Sequence, residues 1–236
     1  MLATPQPGSV PNPPLAGHGA LARLRLLDAA ERLFAERGYA ATSVRDITAE
    51  AGCNLAAVNY YFGGKANLYR EAFVRGLSLL REQRIATLAE AMGRRPAPTL
   101  VELLQSFATA FVAPLDSGRG PLLFQLWMRE QLDPQLPPET FAAELVVPIR
   151  QALSQALCSL LPALAEPDAS LCVQSFIAQL ANALQLRRCD RSLREGVMPV
   201  GPGEHLEHIV RFTAAGIAAA AAPRKAKPGR ARNLEV

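Results

Sequence analysis

Residues 39–68 read YAATSVRDITAEAGCNLAAVNYYFGGKANL, and the fold turns on them. Val44, Ile47 and Ala51 recur at i, i+3 and i+7, one apolar face of a helix, with Thr42 placed to cap its open N–H groups. The pattern predicts a helix over 43–51. Gly52 can adopt the left-handed conformation that ends a helix, and Asn54 is a good cap for the next one. A second helix is predicted over 55–62, with Val58 and Phe62 toward the core. Leu55, Ala56, Asn59 and Tyr60 then point elsewhere. Small residues let a helix approach closely, while Asn and Tyr offer hydrogen bonds to base edges and phosphates. A helix, a tight glycine turn and a second helix of this kind suit a major groove.

Working outward, Leu24, Leu27, Ala30, Leu33 and Phe34 recur at helical spacing upstream, so a helix is predicted over 20–37, stopped by Gly38. Phe34 and Tyr39 read as packing residues. Downstream, Gly63, Gly64 and Lys65 precede Leu68, Tyr69, Ala72, Phe73 and Leu77, a long amphipathic helix. Its N-terminus, with Lys65 beside it, could hold a phosphate.

The pieces LLDAAERLFAERGYAATSVRDITAEAG and VNYYFGGKANL, within 26–68, closely resemble the DNA-binding domain of the TetR (tetracycline repressor) family of transcriptional regulators. The resemblance implies an all-α fold: an N-terminal three-helix DNA-binding domain with a helix-turn-helix, then a larger helical regulatory and dimerisation domain. It implies double-stranded operator DNA, a second copy of the chain and an unknown small-molecule effector as partners, and a ligand-responsive repressor as function. Carried onto this sequence, Thr42, Tyr60 and Lys65 would hold phosphates. Arg45, Asn54, Ala56 and Asn59 would lie near base edges, with Ser43, Leu55 and Tyr61 completing the surface. Two departures stand out: Ala66 follows Lys65 where the family commonly has an acid, and Asn59 replaces a frequent Tyr.

The chain has 236 residues, half of them hydrophobic, with a net charge of +4. Residues 223–236 hold five Lys and Arg against one acid, so the tail carries the whole excess. The DNA reading therefore rests on the motif and not on bulk charge. Cys53, Cys158, Cys172 and Cys189 show no CxxC spacing, consistent with unpaired thiols in a reducing cytoplasm. The longest apolar run, 212–222, is too short to span a membrane. The expected organisation is a disordered Pro-rich leader over 1–19, the DNA-binding domain over 20–80, a ligand-binding and dimerisation domain over 81–222, and a disordered basic tail over 223–236.

Beyond residue 80 the signals are local. Thr99 and Glu102 form a capping box before Leu100, Leu103, Leu104, Phe107 and Phe111, in a helix that should end before Pro114. An apolar helix follows over 121–132. Pro137 and Pro138 open another, with Pro148 inside its pattern and a kink expected near Val147. Two late helices rich in small residues, over 168–188 and 203–222, are by resemblance the dimer interface. Phe107, Phe111, Phe124, Trp127, Met128, Gln174 and Gln185 lie on helices that could line a ligand cavity, with Arg129 or Glu130 as polar anchor.

Catalysis finds little support. His205 and His208, beside Glu204 and Glu207, could bind a metal on one helix face, but HExxH spacing is missing. The only other histidine is His18, so a Ser-His-Asp or Cys-His arrangement has almost no candidates, and no phosphate-cradling glycine motif occurs. Neither a cofactor nor a metal is expected. A regulator without a small-molecule ligand, controlled by a protein partner or by cysteine oxidation, is the alternative function, and a helical metalloenzyme on His205 and His208 a weaker one.

Overall fold

A computed structural model describes residues 16–113, 118–188 and 200–222. The expected leader up to residue 15, the segment holding Pro114, the loop from Cys189 to 199, and the basic tail lie outside the described residues. Among those described, the secondary structure is helical throughout, without strands. In chain order the helices are α1 (Ala16–Arg37), α2 (Val44–Ala51), α3 (Ala56–Phe62), α4 (Lys65–Gly93), α5 (Leu100–Val112), α6 (Gly120–Leu132) and α7 (Pro138–Phe141). A π-helical turn (Ala142–Val146) leads into α8 (Val147–Leu160), followed by α9 (Glu166–Arg188) and α10 (Pro202–Ala221). None of these helices is long and apolar enough to cross a membrane.

The chain divides into two compact units. The first holds residues 1–76 and 122–136, the second 77–121 and 137–236. The expected boundary near residue 80 thus falls after Gly76, within α4, and the 122–136 stretch groups with the N-terminal unit and not with the rest of the C-terminal part.

In the first unit, α1 buries Leu26, Leu27, Ala30, Leu33 and Phe34. Leu24, expected on that face, is 45% exposed, because the buried stripe runs through Leu26 instead. Ile47 and Ala51 of α2, Val58 and Phe62 of α3, and Leu68, Ala72 and Phe73 of α4 complete this core. Phe34, Tyr39 and Tyr69 form a ring cluster with centroids 4.9 to 5.8 Å apart. Gly76 is the close-approach point: a Cβ there would collide with the Leu123 side chain.

In the second unit, Thr99 caps α5 as expected. Its hydroxyl accepts from the Glu102 amide at 3.2 Å, and the Glu102 carboxylate accepts from the Thr99 amide at 2.7 Å. Leu103, Leu104 and Phe107 of α5, Ile149, Leu153 and Leu157 of α8, Val173, Phe176 and Leu180 of α9, and Ile209, Val210 and Ile217 of α10 are buried.

The kink expected near Val147 takes the form of the π turn. Pro148 has no N–H, so the carbonyl of Glu144 cannot be paired in the α pattern. The Val147 amide reaches back five residues to Ala142 O instead. Arg81 fills the gap, its guanidinium donating to Glu144 O at 2.7 Å and to the Glu144 carboxylate at 3.1 Å.

A candidate DNA-binding surface

The surface is built from α2, the glycine turn and α3. α2 opens with a capping box at Ser43: its hydroxyl accepts from the Asp46 amide at 3.1 Å, and Asp46 Oδ2 accepts from the Ser43 amide at 2.9 Å and the Ser43 hydroxyl at 2.6 Å. The Ser43 hydroxyl, then its amide, hold the Asp46 carboxyl below the usual carboxylate range.

Thr42 is therefore not the cap. It is 1% exposed, and its hydroxyl donates to Gly38 O at 2.8 Å and Leu33 O at 3.2 Å. Buried against the end of α1, it tethers the loop into α2 and has no surface with which to hold a phosphate.

Gly52 ends α2 at φ 61°, in the left-handed region, as its place in the sequence predicts. The next cap is another correction. Leu55, not Asn54, is the residue before α3, and no side chain caps that helix; only a backbone bond from the Ala57 amide to Asn54 O closes the turn, at 3.1 Å. A helix of seven residues is too short to stand alone in water. Packing holds it: Val58 is 0% and Phe62 5% exposed, each burial contributing about 1.5–3 kcal/mol.

With that face inward, the opposite one is presented to solvent. Leu55 is 60% and Tyr60 78% exposed, and Ala56 and Asn59 are exposed between them. The Tyr60 ring stands edge-on to Tyr61, centroids 4.8 Å apart, and Tyr61 is half-buried. Arg45 and Asn54 are exposed as well, and the side chains of Arg45, Asn54 and Asn59 make no hydrogen bond among the described residues.

Lys65 is not a free cation. Its ammonium donates to Tyr39 O at 2.7 Å, lies 4.1 Å over the Tyr39 ring, and is pulled below the usual lysine range by burial. It fastens the start of α4 to the loop after α1. Sequence reading passed over Arg25, an exposed residue of α1 whose guanidinium lies 3.9 Å from where a Cβ on Gly52 would stand. Nothing in the sequence marks it among the exposed positions of α1.

The expected ligand set is not assembled in one unit. Phe107 and Phe111 are buried in the second unit, their rings 6.0 Å apart, while Gln174 is exposed on α9 and Gln185 exposed near its end. Phe124, Trp127, Met128 and Arg129 belong to the first unit, where the Phe124 and Trp127 rings lie 5.2 Å apart. Arg129, expected as a polar anchor, is engaged within the first unit. It donates to Ala35 O at 2.6 Å and Glu36 O at 2.5 Å, satisfying carbonyls that the end of α1 leaves open. Glu130 is likewise engaged, by Tyr69 and by the amides of Gln135 and Leu136. The second unit has a groove of its own near the start of α10, walled by Val112, Leu186, Val200, His205 and Leu206, and it contains none of the expected ligand residues. No cluster of three or more metal-ligating side chains occurs among the described residues.

Comparison with known proteins agrees with this architecture. Residues 26–72, from the middle of α1 to the first turns of α4, match the profile described as bacterial regulatory proteins, tetR family. The HTH-type transcriptional dual regulator CecR of Shigella flexneri is 29% identical over 153 residues, covering 63% of this chain and 68% of that protein. Among solved structures, a TetR-family transcriptional regulator from Mesorhizobium loti MAFF303099 superposes with a TM-score of 0.65 at 17% identity, over 85% of this chain and 97% of that one. A Saccharomonospora viridis protein named as a transcriptional regulator, solved in complex with choline, superposes with a TM-score of 0.63 at 20% identity, over 82% and 97%. The profile match falls on the helix-turn-helix itself, and the structural likeness extends over most of the chain. Residues 26–72 thus carry the DNA-binding domain of the tetR family of bacterial regulatory proteins, and the chain as a whole is similar to transcriptional regulators with that domain.

Proposed function

We propose that the chain is a ligand-responsive repressor that binds a near-palindromic operator as a homodimer. The observation that carries the DNA contact is the outward face of α3, where Ala56, Asn59 and Tyr60 are exposed while Val58 and Phe62 lock the opposite side. Asn59 reads base edges, with Asn54 and Ala56 beside it, and Tyr60 grips phosphate. Arg45 and Ser43 flank them at the start of α2, Leu55 and Tyr61 at the two ends of α3. Two copies related by a two-fold axis would read half-sites about 34 Å apart or a multiple of it.

The dimer is supported by stripes along α9 and α10. Leu171, Ser175, Ala178 and Asn182 on α9 are exposed at helical spacing, as are His208, Phe212, Ala215 and Ala219 on α10. Leu171 and Phe212 are 63% and 62% exposed, large apolar groups best covered by a second copy. Regulation by a small molecule is supported by the choline complex of the Saccharomonospora relative. An effector acts by favouring one of two arrangements of the dimer, and one with equal affinity for both would do nothing. Control by cysteine oxidation is less favoured, since burial and then Asp168 push the Cys172 thiol up and away from the reactive thiolate.

The experiment is fluorescence anisotropy of the full chain on the duplex upstream of its own coding sequence, against a scrambled duplex, over a range of salt. Saturable preference for the first with two subunits per site supports the proposal. Equal affinity for every duplex, including sites selected from random DNA, would overturn it.

A further inference from the structure

Arg84 occupies a place that suits an apolar residue. On α4 it shares a buried stripe with Leu77, Leu88 and Ala91, and it is 6% exposed. Its guanidinium lies 3.9 Å over the Phe111 ring and donates once, to Phe111 O at 3.2 Å. That carbonyl belongs to the last turn of α5, whose partial negative charge offers some compensation. The remainder is unanswered: Nε is buried without an acceptor, and no carboxylate among the described residues pairs with it. Arg81, one turn earlier, has the Glu144 carboxylate, and Arg150 bonds Ser170 and is only half-buried. A buried cation without an anion is costly, and burial pulls this guanidinium down to about 10. Beside it, Phe107 and Phe111 continue into Phe176, with ring centroids 6.0 and 5.9 Å apart, an apolar wall.

We infer that the effector is an organic anion, a carboxylate on an apolar body, and that Arg84 is its anchor. The inference rests on the ligand-responsive reading and narrows it to a chemical class. The carboxylate accepts from the unused N–H groups of the guanidinium, two of which can serve one carboxylate side by side. The apolar body lies against Phe107 and Phe111. A neutral analogue leaves the buried charge unpaired, so acid and amide should differ in affinity by about a hundredfold.

The test uses the full-length protein, a panel of aliphatic and aromatic monocarboxylates including benzoate, phenylacetate and hexanoate, the matching neutral amides, and the matching cationic amines. Thermal midpoint and release from operator DNA are both read. An acid of the panel should raise the midpoint by about 5 to 10 °C at a hundredfold excess over its Kd, and its amide should be about a hundredfold weaker. Arg84→Met should lose the acid-dependent shift, and Arg84→Lys should keep part of it. The acid and amide comparison on the wild-type chain decides alone if the variants do not fold. Neutral or cationic compounds releasing DNA while every acid is inert would overturn this inference and leave the ligand-responsive reading standing. If no compound of any charge acts, both fall. Asp116, outside the described residues, is the acid nearest to Phe111 along the chain. Strong coupling between Arg84→Met and Asp116→Asn in a double-mutant cycle would place the counter-ion within the protein and also overturn the inference.

Discussion

Tyr69 donates its phenolic proton to Glu130 Oε2 at 2.6 Å, joining α4 to α6 inside the first unit. The other carboxylate oxygen accepts from the amides of Gln135 and Leu136, at 3.0 and 2.8 Å, so a side chain 5% exposed is met by three donors. Removing one donor leaves buried charge under-satisfied, and Tyr69→Phe should cost about 1.5–3 kcal/mol, measurable as a lowered urea midpoint with unchanged slope. Burial first, then Glu130, push the phenol up. Its folded value lies above its unfolded value near 10, so this contribution is present below that pH and lost as pH rises beyond it. Wild-type protein should lose stability above about pH 10 more steeply than the Phe variant. Parallel curves would refute the coupling.

The Ser43 cap makes a prediction at the acid end. Ser43→Ala should cost about 1 kcal/mol, a shift in melting midpoint of about 2–4 °C. Asp46 is held down by the same serine, so its contribution is present above the unfolded value near 4 and lost as pH falls below it. The difference between wild type and variant should therefore shrink on titration to about pH 2. A constant difference from neutral to acid would show that Asp46 takes no part.

On DNA, two substitutions on one helix should behave differently. Tyr60→Ala should weaken all duplexes alike, whereas Asn59→Ala should change the ranking of operator variants by about 1–3 kcal/mol at the position it reads. Equal losses for Asn59→Ala on every sequence would sink its role in base reading. Arg45→Ala should lower the slope of log affinity against log salt by about 1 if the guanidinium sits on a phosphate, and leave it unchanged if it reads a base without displacing a counterion.

Phe212→Glu tests the assembly. A carboxylate in the middle of the exposed stripe of α10 cannot be covered by an apolar partner without a desolvation penalty. Sedimentation equilibrium should show wild type as a dimer and the variant as a monomer, with helical content and thermal unfolding otherwise similar. A variant that remains dimeric would move the interface elsewhere.

What the sequence disclosed and what it withheld divide by distance along the chain. Gly52, the Thr99–Glu102 box, the inward pair Val58 and Phe62, and the disturbance at Pro148 are signals that act within a turn or two, and each is where the pattern put it. The dense motif in 26–68 likewise falls within the stretch that matches the tetR-family model. Small displacements occurred at the helix starts: Ser43 took the role expected of Thr42, and α3 begins after Leu55 with no side-chain cap where Asn54 was expected. The losses are at long range. Arg129 ends on carbonyls of α1 more than ninety positions away, and Lys65 ends on Tyr39 O, 26 positions back. Such contacts are set by tertiary placement, which no local pattern encodes. Arg84 had a readable trace, a lone charge in the apolar stripe of α4, but a charge in a helix ordinarily reads as solvated.

The wide turn at 142–146 gives the chain slack in its register. A π turn accommodates one residue more than an α turn, so α7, the turn and α8 form a rod with a surplus residue. Losing one residue there would return the turn to α geometry and leave Ile149, Leu153 and Leu157 on the same side of α8. The same loss in the middle of α8 would swing every later side chain by about 100° and turn its buried stripe outward. Changes of chain length in this part of the molecule can thus accumulate in one place without rewriting the seam that α8 presents to α9.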